Sequence, residues 1–342
     1  MLTGNKGEWS ELYAFIYILS NGECIEKGLS NKVVSMTRFE CGQEKEYVLE
    51  NDVIITNGKI IDSNAVRIIL PEIFQEIKNG KGSFSCLELE KIMKMLDIER
   101  IRASSSNKDD FKIKFQNSEK YRGFNVKSKI GSPASIINAS KKTNFTYRIF
   151  NFEHQFHELN QTGPKNIVKT IYESGGYLKF LSCCENYKIN LGTAITPFSR
   201  LLLEYFKGNG VNISNLVDKI FEEKLKKMRK IKNKNIKVDG LPKNAWFNEI
   251  SRILVASGEF MIPSKVKISS DCSASGGLVF VEKDGSINCT IYTSKDDARK
   301  YLYETSFLDT ASTSRHSFGK IYKQPYDEFL AINLNLNIKG GN

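Results

Sequence analysis

The strongest constraint on the fold is a pair of short runs that alternate apolar and polar residues. In DFKIKF (110–115), Phe111, Ile113 and Phe115 share one face, with polar residues on the other. QNSEKYRG then turns the chain, and GFNVKSK returns with Phe124 and Val126 on one face and Asn125 and Lys127 on the other. Two such runs joined by a polar turn predict a β-hairpin with one buried face.

The elements around the hairpin predict an α/β core. Asn5 and Glu8 have the spacing of a capping box, and Trp9, Leu12, Tyr13, Ile16 and Leu19 follow at helical spacing until Asn21-Gly22 ends the run. Strands are expected at YVLE and DVIITNG, and helices from Pro71 to about Lys78 and from Ser85 to about Ile98, the latter opened by Ser85 and Glu88. Ser132-Pro133 predicts a further short helix, and TNFTYRIF a strand. The chain then reads as helical from about 165 to 262 and strand-rich from about Lys265. Two parts are expected, 1–160 and 161–342, although no composition break marks the boundary.

The 342 residues are 40% hydrophobic, ample for a large core, and no apolar run is long enough to span a bilayer. Glu8 and Glu11 interrupt the only apolar segment near the N-terminus, so a soluble cytoplasmic protein is expected. Seven scattered cysteines without a C-x-x-C pair predict buried, reduced thiols. His154 and His157 could ligate a metal from one helix face, but no other His or Cys stands near them. The net charge of +11 points to a polyanionic partner, most often nucleic acid. The most basic run, DKIFEEKLKKMRKIKNKNIK (218–237), reads either as a solvated helix face or as a phosphate contact.

Residues with chemical potential gather at the hairpin. Asp110 heads the first strand, and antiparallel pairing brings it towards Asn125 and Lys127 on the second. Phosphodiester hydrolysis needs a hard cation held by carboxylates, and it gains from a cationic group near the attacking water. A single carboxylate holds Mg²⁺ poorly, so a second acid is required. Glu8 and Glu11 on the first helix are the candidates, against the plain alternative of a cap residue and a solvated glutamate. Taken alone, the hairpin residues are better read as an ordinary solvated strand face. Near the C-terminus, LDTASTSRHSFGKIYK (308–323) sets Ser314, Arg315, His316 and Lys320 around a glycine, and Arg can fork onto guanine O6 and N7. SSDCSASGG (269–277) is a less specific loop of the same kind.

Three stretches together resemble blocks of the HpaII-type restriction endonucleases: GNKGEWSELY, GFNVKSKIGSPASIINAS followed by TNF, and TASTSRHSFGKIY. They occur in family order and extend over nearly the whole chain. The resemblance implies a type II restriction endonuclease that cuts duplex DNA with Mg²⁺, CCGG being the expected target. The implied fold is a variant PD-(D/E)XK nuclease core, a mixed sheet flanked by helices, with additional helical and strand-rich C-terminal elements. Carried over by position, Asp110 binds metal and Lys127 is the motif lysine. Asn125 stands where the superfamily usually has a second acid, so Glu8 or Glu11 inherits that role. Ser314, Arg315, His316, Lys320 and Lys129 are the implied DNA contacts. A cognate DNA methyltransferase is the implied functional partner, and a palindromic target admits either a homodimer or a monomer acting twice. A basic DNA-binding protein without catalysis is the competing reading.

Overall fold

In the computed structural model, residues 1–102, 109–153, 156–228, 236–260, 276–292, 294–324 and 329–340 are described. The chain folds as two units: Met1–Ala134 with Ser273–Ala298, and Ser135–Cys272 with Arg299–Asn342. The sequence expectation placed one boundary near 160; the units divide after Ala134, and a later segment returns to the first.

Helix α1 (Lys6–Asn21) is built as its sequence dictates. Asn5 Oδ1 accepts the Gly7 and Glu8 backbone N–H groups at 2.9 and 3.1 Å, and Glu8 returns a carboxylate oxygen to the Asn5 N–H at 2.7 Å. Gly22 ends it in the left-handed region, φ 67°, where a side chain would be strained. Trp9, Leu12, Phe15, Ile16 and Leu19 are completely buried, each contributing roughly 1.5–3 kcal/mol by leaving water.

The sheet on which α1 packs comprises β1 (Glu23–Glu26), β2 (Leu29–Glu40), β3 (Gln43–Glu50), β4 (Val53–Thr56), β5 (Lys59–Asp62), β6 (Phe111–Phe115), β7 (Arg122–Ser128), β8 (Gly277–Val281) and β9 (Ile287–Ile291). Its order is β9-β8-β7-β6-β2-β3-β4-β5, with β1 paired to β2. The expected hairpin is present, Phe111 opposite Phe124 and Ile113 opposite Arg122. The β8–β7 pairing is parallel, which makes the sheet mixed. Helices α2 (Ser63–Asn79) and α3 (Leu87–Met95) complete the unit. This is the α/β class anticipated, a mixed sheet flanked by helices.

Several local expectations are corrected. Helix α2 starts at Ser63, capped by Asp62, and passes through Pro71. Its stripe of Val66, Leu70, Ile73, Phe74 and Ile77 is buried, and that packing outweighs the helix-breaking tendency of one proline. Helix α3 starts at Leu87, and Ser85 does not cap it; Glu76 of α2 accepts the Leu87 N–H instead, at 3.2 Å. Ser132-Pro133 opens no helix but leads into a strand, Ala134–Ile137, in keeping with the β preference of Ile136 and Ile137. Cys24 and Cys289 form a disulfide rather than free thiols, because β1 and β9 lie side by side despite 265 residues of separation.

The second unit carries a four-stranded sheet in the order Tyr177–Cys183, Asn144–Phe150, Leu330–Asn335, Ile321–Lys323. The region expected to be helical supplies Pro164–Glu173, Ile195–Phe206, Ile213–Lys227 and Lys243–Phe260, but it also contains the strand Tyr177–Cys183, which pairs with Asn144–Phe150. Among the described residues, no helix is long and apolar enough to cross a membrane.

Candidate active site

Asp110 lies just ahead of β6, and its environment is set by the hairpin ladder. Its N–H donates to the Phe124 carbonyl at 3.0 Å, and its Oδ2 accepts the Val126 N–H at 2.7 Å. Both bonds fix the carboxylate against β7, one residue from Lys127. Gly123 makes room beside it: a Cβ there would stand 2.0 Å from the Asp109 carboxylate. Burial pushes Asp110 above the usual carboxylate range, while the Val126 N–H and the charges of Lys127 and Arg38 pull it down.

Glu11 meets Asp110 from the helix. Burial pushes the Glu11 carboxyl up to about 8, and the negative charge of Asp110 adds to the rise. Arg102, Lys127 and Arg38 act in the opposite direction. Two carboxyls and several cations therefore share one partly buried locus. Helix α1 is tied to the end of β7 next to this point, because the buried Ser10 hydroxyl bonds Ser128 Oγ at 3.0 Å.

Glu8 is placed differently. Its carboxylate serves the capping box and forms an ion pair with Arg102. Of the two glutamates that the sequence leaves open, Glu11 feels the charge of Asp110, while Glu8 is engaged in the cap and by Arg102, a cation that also acts on Glu11.

Asn125 is buried, opposite Leu278 of β8, and Lys127 is half-buried, opposite Phe280. Lys129 ion-pairs with Glu282 at 2.8 Å and lies over the Phe280 ring at 4.6 Å. Ser314, Arg315 and Lys320 are exposed in the second unit, and His316 is partly so. Ser314, Arg315 and His316 belong to a turn of helix, Thr313–His316, capped by Ser312 and held by Asn144, whose amide donates to the His316 and Ser317 carbonyls at 3.0 and 3.2 Å, and Lys320 follows this turn. His154, residues 229–235 of the basic run and residues 269–275 of the Ser/Gly loop lie outside the described residues.

The sequence reading missed Arg38. Its guanidinium is buried, ion-paired to Glu40, and donates to the Arg100 and Ile101 carbonyls at 2.9 and 2.6 Å. Glu40 in turn accepts the Glu99 N–H at 2.7 Å. The pair clamps residues 99–101 onto β2, just before Arg102. One signal was available: Arg38 has the same strand parity as the core residue Met36, where a charge is out of place.

A divalent cation fits the two carboxylates. Mg²⁺ is commonly held by one or two protein carboxylates, with waters and substrate phosphate completing its shell. Mutual repulsion in a partly buried place is what such an ion relieves. Among the described residues there is no group of three or more His, Cys, Asp or Glu side chains suited to a metal.

A family model described as HpaII restriction endonuclease matches residues 5–339. The type II restriction enzyme HpaII of Haemophilus parainfluenzae is 31% identical over 360 residues, covering 98% of this chain and 98% of that protein. No solved structure matches significantly. With nearly the full length matched in both comparisons, the chain belongs to the HpaII restriction endonuclease family and is a type II site-specific endonuclease.

Proposed function

We propose that this endonuclease hydrolyses duplex DNA at CCGG with Mg²⁺ held by Asp110 and Glu11, on a divergent PD-(D/E)XK core. The observations that carry this reading are the full-length match to HpaII and the Asp110 carboxylate held against β7 by the Val126 N–H at 2.7 Å, with Glu11 in its field. A carboxyl raised by burial beside a second acid is a functional-site candidate. The target is taken from the relative's family, since the chain is homologous along its whole length.

The residues divide the work. The Val126 N–H orients Asp110 and occupies one side of Oδ2, leaving Oδ1 for other use. Glu11 supplies the second carboxylate from α1, in place of the acid usual at position 125. Asn125 adds no further charge beside Asp110, which burial and the negative charge of Asp109 already raise. When bound, the ion polarises a phosphate oxygen and lowers the pKa of a water. Lys127 would orient the attacking water and offset the charge that grows on the phosphate. Arg315, His316, Ser314 and Lys320 contact DNA from the second unit. Lys129, already paired with Glu282, supports the site strand and reaches DNA only by giving up that partner. A methyltransferase of the same specificity protects host DNA.

The test is digestion of a plasmid containing CCGG sites, with Mg²⁺ and with chelator, followed by sequencing of the ends. Discrete fragments ending at CCGG only when Mg²⁺ is present are expected. Cutting at another sequence contradicts the target, and cutting in chelator contradicts the metal.

A further inference from the structure

The four-stranded sheet of the second unit turns one face to its core, through the completely buried Phe145, Tyr147, Ile332 and Leu334. Alternation puts Thr146, Arg148 and Phe150 on the other face. None of the four strands contains an Asp or Glu. Lys179 and Arg148, both exposed, are directly opposite across one strand pair. Like charges so placed destabilise a sheet, and a polyanion lying over them removes the cost.

Arg148 is unusually well braced for an exposed side chain. Its guanidinium carbon lies 4.8 Å from the centroid of Phe150 and 4.5 Å from that of Phe329. Stacking on two rings restricts the guanidinium before any ligand arrives, so less freedom is lost on binding. Nearby, Asn333 Oδ1 accepts the Thr146 hydroxyl at 2.9 Å and the Tyr322 hydroxyl at 3.1 Å. This commits the amide oxygen and leaves the amide nitrogen as a donor. The face thus combines cations, a pre-organised fork and an oriented amide.

We propose that this sheet face is the surface on which duplex DNA is read, with Arg148 forked onto the O6 and N7 of a guanine. The inference takes its ligand from the endonuclease reading and uses no residue of the metal site. An exposed lysine in place of Arg148 would keep the charge but lose the fork and the stacking.

The experiment selects from short duplexes carrying a randomised block, in Ca²⁺ without Mg²⁺, using wild type, Arg148→Ala, Arg148→Lys and Lys179→Ala. A parallel arm tests plasmid cleavage in Mg²⁺. Wild type is expected to enrich a guanine-containing sequence. Arg148→Ala should weaken binding to that duplex by on the order of 10- to 100-fold, with scrambled duplex bound within about 3-fold of wild type. Arg148→Lys should not restore the preference. Lys179→Ala should weaken both duplexes alike and reduce the salt dependence by about one phosphate contact. Unchanged thermal melting shows that the variants fold. The proposal is overturned if Arg148→Ala keeps the same guanine preference or if wild type enriches nothing. It is also overturned if the face instead holds a second copy of the chain, seen as a dimer that Arg148→Ala dissociates. Guanine selection by a protein that leaves plasmid uncut supports this surface and contradicts the nuclease reading.

Discussion

Glu11 on α1 and Asp110 ahead of β6 come from opposite sides of a 99-residue interval in sequence (110 − 11 = 99), yet the charge of Asp110 raises Glu11 on top of the effect of burial. Helix and hairpin meet through the Ser10–Ser128 bond and the core of Trp9, Phe15, Phe111 and Phe124. Packing thus sets two acids within each other's field, a cost that the proposed cation would relieve.

That cost sets a pH dependence. Without metal, Glu11 rises from 4.5 to about 8 on folding, and Asp110 moves in the same direction. The folded protein therefore holds protons that the unfolded chain has released. The contribution of these groups is fully present below about 4.5 and is lost as pH rises through about 8. Urea unfolding in chelator should show stability falling across that window, by up to about 1.4 kcal/mol per pH unit for each proton. Glu11→Gln should flatten the slope. A wild-type profile as flat as the variant's would show that Glu11 is not raised.

Binding of Mg²⁺ should release protons, since the site must ionise to hold it. Calorimetric titration near pH 7 in buffers of different ionisation enthalpy is expected to report net proton release that Glu11→Gln reduces. The same release from both proteins would place the titrating group elsewhere.

Lys127→Ala should lower single-turnover cleavage by roughly 100-fold or more, as for loss of a group that stabilises developing charge. Duplex binding in Ca²⁺ should stay within several-fold. A variant that cuts at the wild-type rate removes Lys127 from the chemistry.

The Arg38–Glu40 pair is expected to matter for stability. Arg38→Leu strands a buried carboxylate and frees two carbonyls, and should cost about 3–5 kcal/mol in urea unfolding. Arg38→Leu combined with Glu40→Leu should cost less than the single change, because no unpaired charge remains. A double variant that is worse than the single one would mean the pair does more than compensate itself.

Local features were legible in the sequence because they depend on residues close together. The Asn5–Glu8 box, the Gly22 stop and the 111–128 hairpin all follow from spacing alone. Asp110 and Lys127 could be named as candidates, but which glutamate feels the charge of Asp110 could not. Glu8 and Glu11 are three apart on one helix, and only the position of Arg102 and the hairpin separates their surroundings. Arg38 escaped notice because an arginine in a strand is ordinary until its burial is known. The Cys24–Cys289 bridge and the parallel strand β8 depend on a segment near 277–291 returning to pair with the first unit, which no local pattern announces. The start of α2 was misplaced because Pro71 reads as an opening residue, when tertiary packing had already set the helix.

The central claim is that Glu11, and not Glu8, completes the metal site with Asp110. Single-turnover cleavage of CCGG plasmid in Mg²⁺ by Glu11→Gln and Glu8→Gln tests it most directly. Glu11→Gln is predicted to lose cleavage by roughly 100-fold or more while still binding DNA in Ca²⁺. Glu8→Gln should cut at near the wild-type rate, since glutamine at that position can still accept the Asn5 N–H. Near-normal cutting by Glu11→Gln together with loss of cutting by a folded Glu8→Gln would contradict the claim.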